Sequence, residues 1–308
     1  MSNGPLVSII TPLYNQERYV IETILSVLSQ TYLNIEYIVI NDGSTDGSRS
    51  LIEKFNDRIT IIDQDNQGQA ATLNRGWEIA KGKYIGYLSS DDILYPQCIE
   101  RVVKALEGDS SAVCAFPDCD LISSESKVLK NNVCRSFDLE QLVVDQRCHI
   151  GVGALWRAST HRQIGGWRSD LKLAPDREYW MRLANHGRFL FLGTTLAGYR
   201  LHPNSISSSV TSEDVSLEYV KVLDDYFTSK DIPPSILDRK SEAYAYAYWV
   251  VAGNMLRQGN IRTTARYIAH AHSIDPKSLN FRNLIVLARS SIGKPLRYML
   301  GFLKRGVR

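Results

Sequence analysis

The sequence lacks the signatures of several common protein classes. Its five cysteines are odd in number and contain no Cys-x-x-Cys pair, so they fit no disulfide framework. No apolar run is long enough to cross a bilayer, and the first apolar strand begins at Leu6, too close to Met1 for a signal peptide. These absences predict reduced thiols and a cytoplasmic protein.

Two common nucleotide-binding motifs are also missing. No Gly-x-Gly-x-x-Gly follows the first strand, which disfavours a dinucleotide dehydrogenase, and no Gly-x-x-x-x-Gly-Lys-Ser/Thr is present, which disfavours a P-loop NTPase. The composition is that of an ordinary globular protein, with 44% hydrophobic and 22% charged residues. A chain of 308 residues is long enough for one large domain with an appendage or for two domains.

Acidic residues are absent from residues 276–308, although the whole chain has 33 acidic and 36 basic residues. Basic residues in this stretch are Lys277, Arg282, Arg289, Lys294, Arg297, Lys304, Arg305 and Arg308. Apolar residues interleave with them at helical spacing. The pattern fits either a surface that meets anionic lipid through residues 280–308 or an amphipathic helix packed on its own domain. No other stretch is basic in the same way, so we do not expect binding to nucleic acid.

Strand and helix patterns alternate along the first third of the chain. This order predicts parallel crossovers and a sheet covered by helices on both faces. One of the predicted helices begins at Tyr95. Further strands are predicted at residues 113–116, 149–156, 189–192 and 196–202, and further helices at 159–164 and 176–186. Beyond Pro203 the pattern is helical only, which places a domain boundary near residue 210.

Residues 84–96 contain an apolar strand that runs directly into Asp91 and Asp92. Adjacent carboxylates raise each other's pKa unless a cation or hydrogen bonds keep both ionised. Ligands of α/β sheets bind at strand ends, where a divalent cation with phosphate oxygens on its far side would use such a pair. This interpretation predicts a protein that handles a nucleotide diphosphate through a metal. The alternative is a helix N-cap before Ile93.

Four segments, in this order and spacing, resemble the family 2 inverting glycosyltransferases of the GT-A fold. They are Val7-Ser-Ile-Ile-Thr-Pro-Leu-Tyr-Asn15; Tyr37-Ile-Val-Ile-Asn-Asp-Gly-Ser-Thr-Asp46; Asn66-Gln-Gly-Gln-Ala-Ala-Thr-Leu-Asn74 with Leu88-Ser-Ser-Asp-Asp92; and Asp176-Arg-Glu-Tyr-Trp-Met-Arg182 with Tyr199-Arg-Leu-His202. The resemblance implies an α/β domain in residues 1–210, with a Rossmann-like mixed, mostly parallel sheet flanked by helices. Residues 211–308 would form a helical region with a basic amphipathic tail.

The resemblance assigns a nucleotide to the ends of the first strands. The nucleotide-binding residues would be Thr11, Pro12, Tyr14, Asn15, Asp42, Gly68, Gln69, Asn74 and Asp91. Tyr14 would stack on or line the base, and Asp42 would accept a hydrogen bond from the base or ribose, although turn chemistry alone is the alternative for Asp42. Gly68 would let the backbone approach a phosphate or ribose closely. Arg75 is an alternative to Asn74.

The resemblance also implies a bound Mn²⁺ or Mg²⁺. Asp92 would hold the ion, and His202 would be a further metal ligand or a phosphate contact. The family usually has an acid two places before Asp91, where this chain has Ser89.

Asp176 corresponds to the general base of the family, at the start of a predicted helix. Glu178 is the second candidate. The family usually has an acid just before the base, and here that residue is Pro175, which suits the first turn of a helix. An N-terminal helix acid without a catalytic role is the alternative for Asp176.

These assignments imply an inverting glycosyltransferase that moves a sugar from a nucleotide-diphosphate donor, UDP by family frequency, to a saccharide or lipid-linked saccharide. Surface polysaccharide or cell-wall glycan assembly would be the pathway class, at the inner face of the plasma membrane. A homo-oligomer formed through the C-terminal helices is a further expectation. A nucleotidyltransferase, which usually has a glycine-rich loop after the first strand, and a non-catalytic nucleotide-sugar-binding scaffold are the alternatives.

Overall fold

The computed structural model describes residues 4–203, 205 and 211–290 of the chain. Two compact units can be distinguished. The first unit consists of Met1–Phe137, His149–Asp170 and Arg182–Arg200, and the second of Asp138–Cys148, Leu171–Met181 and Leu201–Arg308. The second unit therefore contains the predicted helical region together with two segments from earlier in the chain.

The first unit contains a mixed sheet that has nine strands within the described residues. The strands are β1 (Val7–Leu13), β2 (Ile35–Asp42), β3 (Thr60–Gln64), β4 (Tyr84–Tyr87), β5 (Ile93–Leu94), β6 (Ala112–Ile122), β7 (Val128–Lys130), β8 (Leu155–Arg157) and β9 (Arg188–Arg200). Their order is β3-β2-β1-β4-β8-β6-β9-β5, with β7 paired to β6. Strands β3, β2, β1 and β4 run parallel, as do β6 and β9, and the remaining pairs are antiparallel.

Helices of the described chain flank this sheet and make up most of the second unit. They are α1 (Val20–Leu28), α2 (Ser48–Ile52), α3 (Gln69–Ile79), α4 (Cys98–Gly108), α5 (Leu139–Val143), α6 (Ala158–Ile164), α7 (Pro175–Ala184), α8 (Glu213–Ser216), α9 (Glu218–Tyr226), α10 (Pro234–Leu237), α11 (Lys240–Arg257), α12 (Ile261–Ile274) and α13 (Phe281–Ser290). Short 3₁₀ helices span Glu53–Phe55 and Pro276–Ser278.

The parallel strands are covered because their neighbouring helices present small or apolar side chains to them. Every residue of β1 is buried. Helix α3 approaches so closely at Gly76 that an added Cβ would lie 2.6 Å from Ile10 and 3.2 Å from Ile40. Helix α1 buries Val20 and Ile24, one turn apart, as an amphipathic helix does. These contacts confirm the predicted alternation and bring the carboxyl ends of β1, β2 and β4 to one edge of the sheet.

Helix α4 was predicted from Tyr95 but begins at Cys98. The reason is tertiary, because Ile93 and Leu94 pair with β9 and the Tyr95 N–H donates to the Leu196 carbonyl at 2.8 Å. The prediction of a helix start at Tyr95 was therefore wrong by three residues.

Two strand predictions also differ from the structure. The strand predicted at 149–156 is confined to β8, Leu155–Arg157. The two strands predicted at 189–192 and 196–202 form one strand, β9, that passes through Gly193 with a positive φ of 64°. Register shifts of β6 against β9 accommodate this irregularity.

The second unit is packed around α11. Val251 and Met255 of α11 form a buried cluster with Tyr267 of α12, and Leu287 of α13 packs against it. Helix α13 corresponds to the start of the predicted basic tail, whereas residues 291–308 lie outside the described residues. Within the described parts of the chain, no helix is both long enough and apolar enough to span a membrane.

Candidate functional site

Asp42, the last residue of β2, holds the loop that leads into α3. Its buried carboxylate accepts hydrogen bonds from Gln64 Nε2 at 2.8 Å, from the Gln67 N–H at 2.8 Å and from the Gly68 N–H at 2.9 Å. Both carboxylate oxygens therefore have donors within the protein itself. Asp42 therefore has a structural role in holding this loop, and its contact with a ligand stays a prediction.

Gly68 precedes α3 in a conformation that only glycine adopts readily. Its φ is 84° and its ψ is 162°. An added Cβ would meet no atom within 4 Å, so the backbone conformation, and not lack of space, requires glycine here. Gln69 then opens α3 with a half-buried side chain. The exposed N-terminus of α3 is suited to an anion.

The end of β1 divides the predicted residues into buried and accessible ones. Thr11 is fully buried, with its hydroxyl 3.0 Å from the Tyr37 hydroxyl, and Pro12 is buried beside it. Tyr14 is 47% exposed. Asn15 has a positive φ of 51°, and its Oδ1 accepts the Thr45 N–H at 2.7 Å. Tyr14 is thus the accessible aromatic group at this strand end, and Asn15 fixes the loop after β2.

Asn74 and Arg75, the two alternatives on α3, have different partners. Asn74 donates to the Trp167 carbonyl at 2.6 Å and accepts the Trp167 N–H at 2.8 Å. Arg75 donates to Gln64 Oε1 at 2.7 Å, and Gln64 in turn contacts Asp42. The Asn74 amide is therefore engaged with the backbone, while Arg75 lies in the hydrogen-bonded network around Asp42.

Asp91 and Asp92 lie in a turn between β4 and β5. The Asp92 N–H donates to the Ser89 carbonyl at 3.1 Å, and β5 follows immediately. The next helix begins six residues later, at Cys98, after Gln97. The two acids therefore do not cap a helix, and that alternative interpretation is wrong.

Asp92 is buried, with 4% of its surface exposed. Burial and the neighbouring Asp91 carboxylate raise the pKa of Asp92 well above the ordinary value for aspartate, against the opposing effect of Arg200. Its Oδ1 accepts the Arg200 N–H at 2.8 Å, and its carbonyl accepts the Thr23 hydroxyl at 2.8 Å. Asp92 is therefore fixed in place, and the contacts around it would compensate a negative charge on its carboxylate only in part.

Arg200, at the end of β9, contacts the Asp91–Asp92 turn, and the sequence did not indicate this role. Its guanidinium is fully buried and lies 4.8 Å from the centre of the Tyr19 ring. It donates to the Asp91 carbonyl at 2.6 Å, to the Ser123 carbonyl at 3.1 Å, to Ser126 Oγ at 2.8 Å and to Glu22 Oε2 at 2.7 Å. The only sequence signal was its place in the Tyr-Arg-Leu-His segment.

Asp176 belongs to the second unit, where it is the second residue of α7. Pro175 opens the helix, which confirms that proline suits its first turn. The Asp176 side chain is half-buried, and its Oδ1 accepts the Arg177 N–H at 2.8 Å. Glu178, the second candidate base, is only 8% exposed. Exposure thus favours Asp176 over Glu178.

His202 also belongs to the second unit and is 3% exposed. The backbone N–H of His202 donates to Ser205 Oγ at 3.3 Å, and the backbone N–H of Ser205 donates to the His202 carbonyl at 3.1 Å. This turn fixes the His202 backbone, and a metal or phosphate contact stays a prediction.

Comparison with known proteins identifies the family. Residues 8–158 match the model described as glycosyl transferase family 2. An uncharacterized glycosyltransferase of Haemophilus influenzae is 34% identical over 229 residues, which cover 69% of this chain and 71% of that protein. This chain belongs to glycosyltransferase family 2.

Solved structures confirm the GT-A fold of this glycosyltransferase. The structure of TarS 1–349 of S. aureus, in complex with UDP-GlcNAc, matches with a TM-score of 0.65 at 14% identity. The match covers 87% of this chain and 92% of the TarS chain. A mannosyltransferase from Pyrobaculum calidifontis, in complex with GDP-Man and Mn²⁺, has a TM-score of 0.61 at 17% identity, with coverages of 96% and 83%. At these identities the likeness concerns the fold alone.

The turn after β4 of this glycosyltransferase has the chemistry of a partial cation site. Asp92 offers a hard oxygen ligand, and no donor contacts its Oδ2 among the described residues. In the same part of the chain, no three His, Cys, Asp or Glu side chains form a complete metal cage. An ion held here would complete its shell with water or with phosphate oxygens, as Mg²⁺ does at nucleotide sites.

Proposed function

We propose that this glycosyltransferase moves a sugar from a nucleoside-diphosphate donor to an acceptor hydroxyl by a single displacement, with a divalent cation on Asp92. The turn that holds Asp91 and Asp92 carries the proposal. Asp92 is buried, its pKa is raised, and it caps no helix. A buried carboxylate of this kind is unfavourable by itself and becomes favourable beside a cation that also meets a diphosphate.

The nucleotide would bind along the ends of the first strands. Tyr14, 47% exposed after β1, would contact the base. Gly68 would let the backbone come close to the ribose or a phosphate at the start of α3, where Gln69 is the first helical residue. Asp91 would contact the ribose. UDP is the nucleotide we favour, by its frequency in the family. Solved structures of the same fold hold UDP-GlcNAc in one case and GDP-Man in another, so both UDP and GDP enter the test.

The metal would be Mn²⁺ or Mg²⁺, held by Asp92, while a metal or phosphate contact of His202 stays a prediction. Bound there, the ion supplies positive charge that offsets the charge developing on the departing diphosphate. The Arg200 N–H holds the Asp92 carboxylate and the Thr23 hydroxyl holds its main-chain carbonyl, so that the ligand atom stays in one place for this task.

Asp176 would act as the general base. It accepts the proton of the acceptor hydroxyl as that oxygen bonds to the anomeric carbon, while the bond from this carbon to the diphosphate oxygen breaks. Attack opposite the leaving group inverts the anomeric configuration. Asp176 lies in the first turn of α7, where the helix dipole interacts favourably with a negative charge.

Turnover and the stereochemistry of the product test the assignment of Asp176 as the base. Release of nucleoside diphosphate from UDP-, GDP- and dTDP-sugars is measured first, to find the donor. Asp176→Asn should then lower kcat by about 10²–10⁴-fold, and the exposed Asp214→Asn should not. Unchanged turnover in Asp176→Asn, or a product with retained anomeric configuration, would contradict the proposal.

The acceptor would be a saccharide or lipid-linked saccharide, with residues 280–308 on an anionic membrane. Phe281 and Leu284, three residues apart on α13, are 78% and 46% exposed, and basic residues follow them in the sequence. Truncation after residue 279 should abolish sedimentation with phosphatidylglycerol vesicles. The whole chain should not sediment with neutral phosphatidylcholine vesicles. Undiminished sedimentation of the truncated protein would end this part of the proposal.

A further inference from the structure

The segment that precedes Asp176 is held by a carboxylate from the C-terminal part of the second unit. Glu218, the first residue of α9, accepts the Lys172 N–H on Oε1 at 2.8 Å. Its Oε2 accepts the Leu173 N–H at 2.6 Å and the Ala174 N–H at 3.2 Å. Three successive backbone donors immediately before α7 thus converge on one side chain, which is 7% exposed.

A carboxylate is well suited to accept all three of these bonds. It offers acceptor lone pairs on both oxygens and no competing N–H or O–H group. The residue after these donors is Pro175, which has no N–H of its own and cannot contribute a further backbone anchor. Glu218 therefore determines where the backbone lies just before Asp176.

Tyr219, the residue next to Glu218, contacts Arg177, which directly follows Asp176. The Arg177 guanidinium lies 5.2 Å from the centre of the Tyr219 ring, and Arg177 Nη1 donates to the Gln146 carbonyl at 2.6 Å. Consecutive residues of α9 thus contact the chain before and after the Pro175–Asp176 pair. Three backbone hydrogen bonds before this pair and two contacts of Arg177 after it leave the first turn of α7 little freedom to shift.

We propose that Glu218 is a positioning residue for the general base, acting through the backbone of residues 172–174 and assisted by Tyr219. The proposal rests on the function proposed above, in which Asp176 is the base. It assigns the C-terminal helices a part in the chemical step, since a base displaced by about 1 Å from its productive position costs on the order of a hundredfold in rate.

The test compares Glu218→Gln with Glu213→Gln. Glutamine keeps the size of Glu218 but replaces one acceptor oxygen by an NH₂ group that faces backbone donors. We expect kcat to fall about tenfold or more, while the KM for the donor and the affinity for the nucleoside diphosphate stay within about twofold of wild type. Glu213→Gln changes an acid of the same unit that contacts Arg266 and Tyr267 instead, and it should leave kcat unchanged.

A double variant separates positioning from general damage. If Glu218 acts through Asp176, then Glu218→Gln should cause no further loss in the Asp176→Asn background. A full additional loss in the double variant, wild-type kcat in Glu218→Gln, or a loss that appears mainly as a raised donor KM would each overturn the inference.

A second substitution keeps the inference testable if the Glu218→Gln variant does not fold. Tyr219→Leu removes the ring beneath Arg177 and should lower kcat with the same non-additivity toward Asp176→Asn; wild-type kcat would count against the inference. Failure of the proposed function would show differently, as undiminished turnover in Asp176→Asn itself, whatever Glu218→Gln does.

Discussion

At the residue scale, the turn of Asp91 and Asp92 depends on one buried arginine. The sequence identified the acidic pair because two carboxylates at a strand end are costly without a ligand. It did not identify Arg200, whose contact with the Asp91 carbonyl joins residues 109 positions apart. A contact of that separation leaves no local pattern, so only the structure could show it.

Replacing Arg200 by lysine should destabilise the protein. A single ammonium group cannot reach the four acceptors that the guanidinium contacts, so buried acceptors such as the Asp91 carbonyl lose their donor. We expect a loss of about 2 kcal/mol in the free energy of unfolding, measured with urea, and weaker binding of the nucleoside diphosphate. Arg18→Lys is the control, because the Arg18–Glu125 ion pair is exposed and should contribute almost nothing. Equal stabilities of the two variants would contradict this account of Arg200.

Asn74 shows the other limit of residue-level prediction. An amide side chain on α3, beside the proposed nucleotide site, can form hydrogen bonds with a ligand, but it can form them equally well with a backbone segment of the protein. In the structure its donor and acceptor both meet Trp167, 93 positions along the chain. The residue type alone could not distinguish these partners.

At the scale of elements, the strands and helices of the first third were predictable because their periodicities are strong and their neighbours are close in sequence. The later strands were less so. Strand β5 has only two residues and exists because Ile93 and Leu94 pair with β9. The continuity of β9 across Gly193 likewise depends on its partner β6, since Gly193 by itself indicates a break.

The loop before α3 provides a test at this scale. Gly68→Ala forces a side chain into φ 84°, ψ 162° and should cost about 1–3 kcal/mol, with weaker binding of the nucleotide because the loop borders its proposed site. Gly108→Ala, at the end of α4, meets no atom within 4 Å and should stabilise the protein by about 0.5–1 kcal/mol. Thermal unfolding of both variants checks the pair. Similar melting temperatures would show that the Gly68 conformation is not required.

At the scale of the whole molecule, the order and spacing of four short segments were enough to predict the family and the GT-A fold, both of which the comparisons confirm. The grouping of residues 171–181 with the C-terminal helices was not predictable. It rests on contacts such as those of Glu218 with Lys172 and Leu173, which join positions 45 and 46 residues apart and involve backbone N–H groups that no sequence pattern marks.

The stability of the molecule should depend on pH through His161. Burial, together with Arg182 and Arg162, lowers the pKa of His161 to about 4. The unfolded chain therefore binds a proton between about pH 6.5 and 4 that the folded protein does not, so stability falls as the pH falls through this window, by up to about 3 kcal/mol. His161→Phe, which keeps an aromatic ring beside Trp77, should flatten urea-unfolding stability across this range. The exposed His186→Phe should not, and identical pH profiles for both variants would contradict the assignment.

The measurement that tests the central proposal most directly is calorimetric titration of UDP, GDP, CMP and dTDP, each with and without Mn²⁺, into the wild-type protein and into Asp92→Asn. We expect one nucleoside diphosphate to bind tightly to the wild type only when Mn²⁺ is present, and that binding to be lost in Asp92→Asn. Binding of a diphosphate that is equally tight without the metal, or undiminished in Asp92→Asn, would contradict a catalytic cation on Asp92.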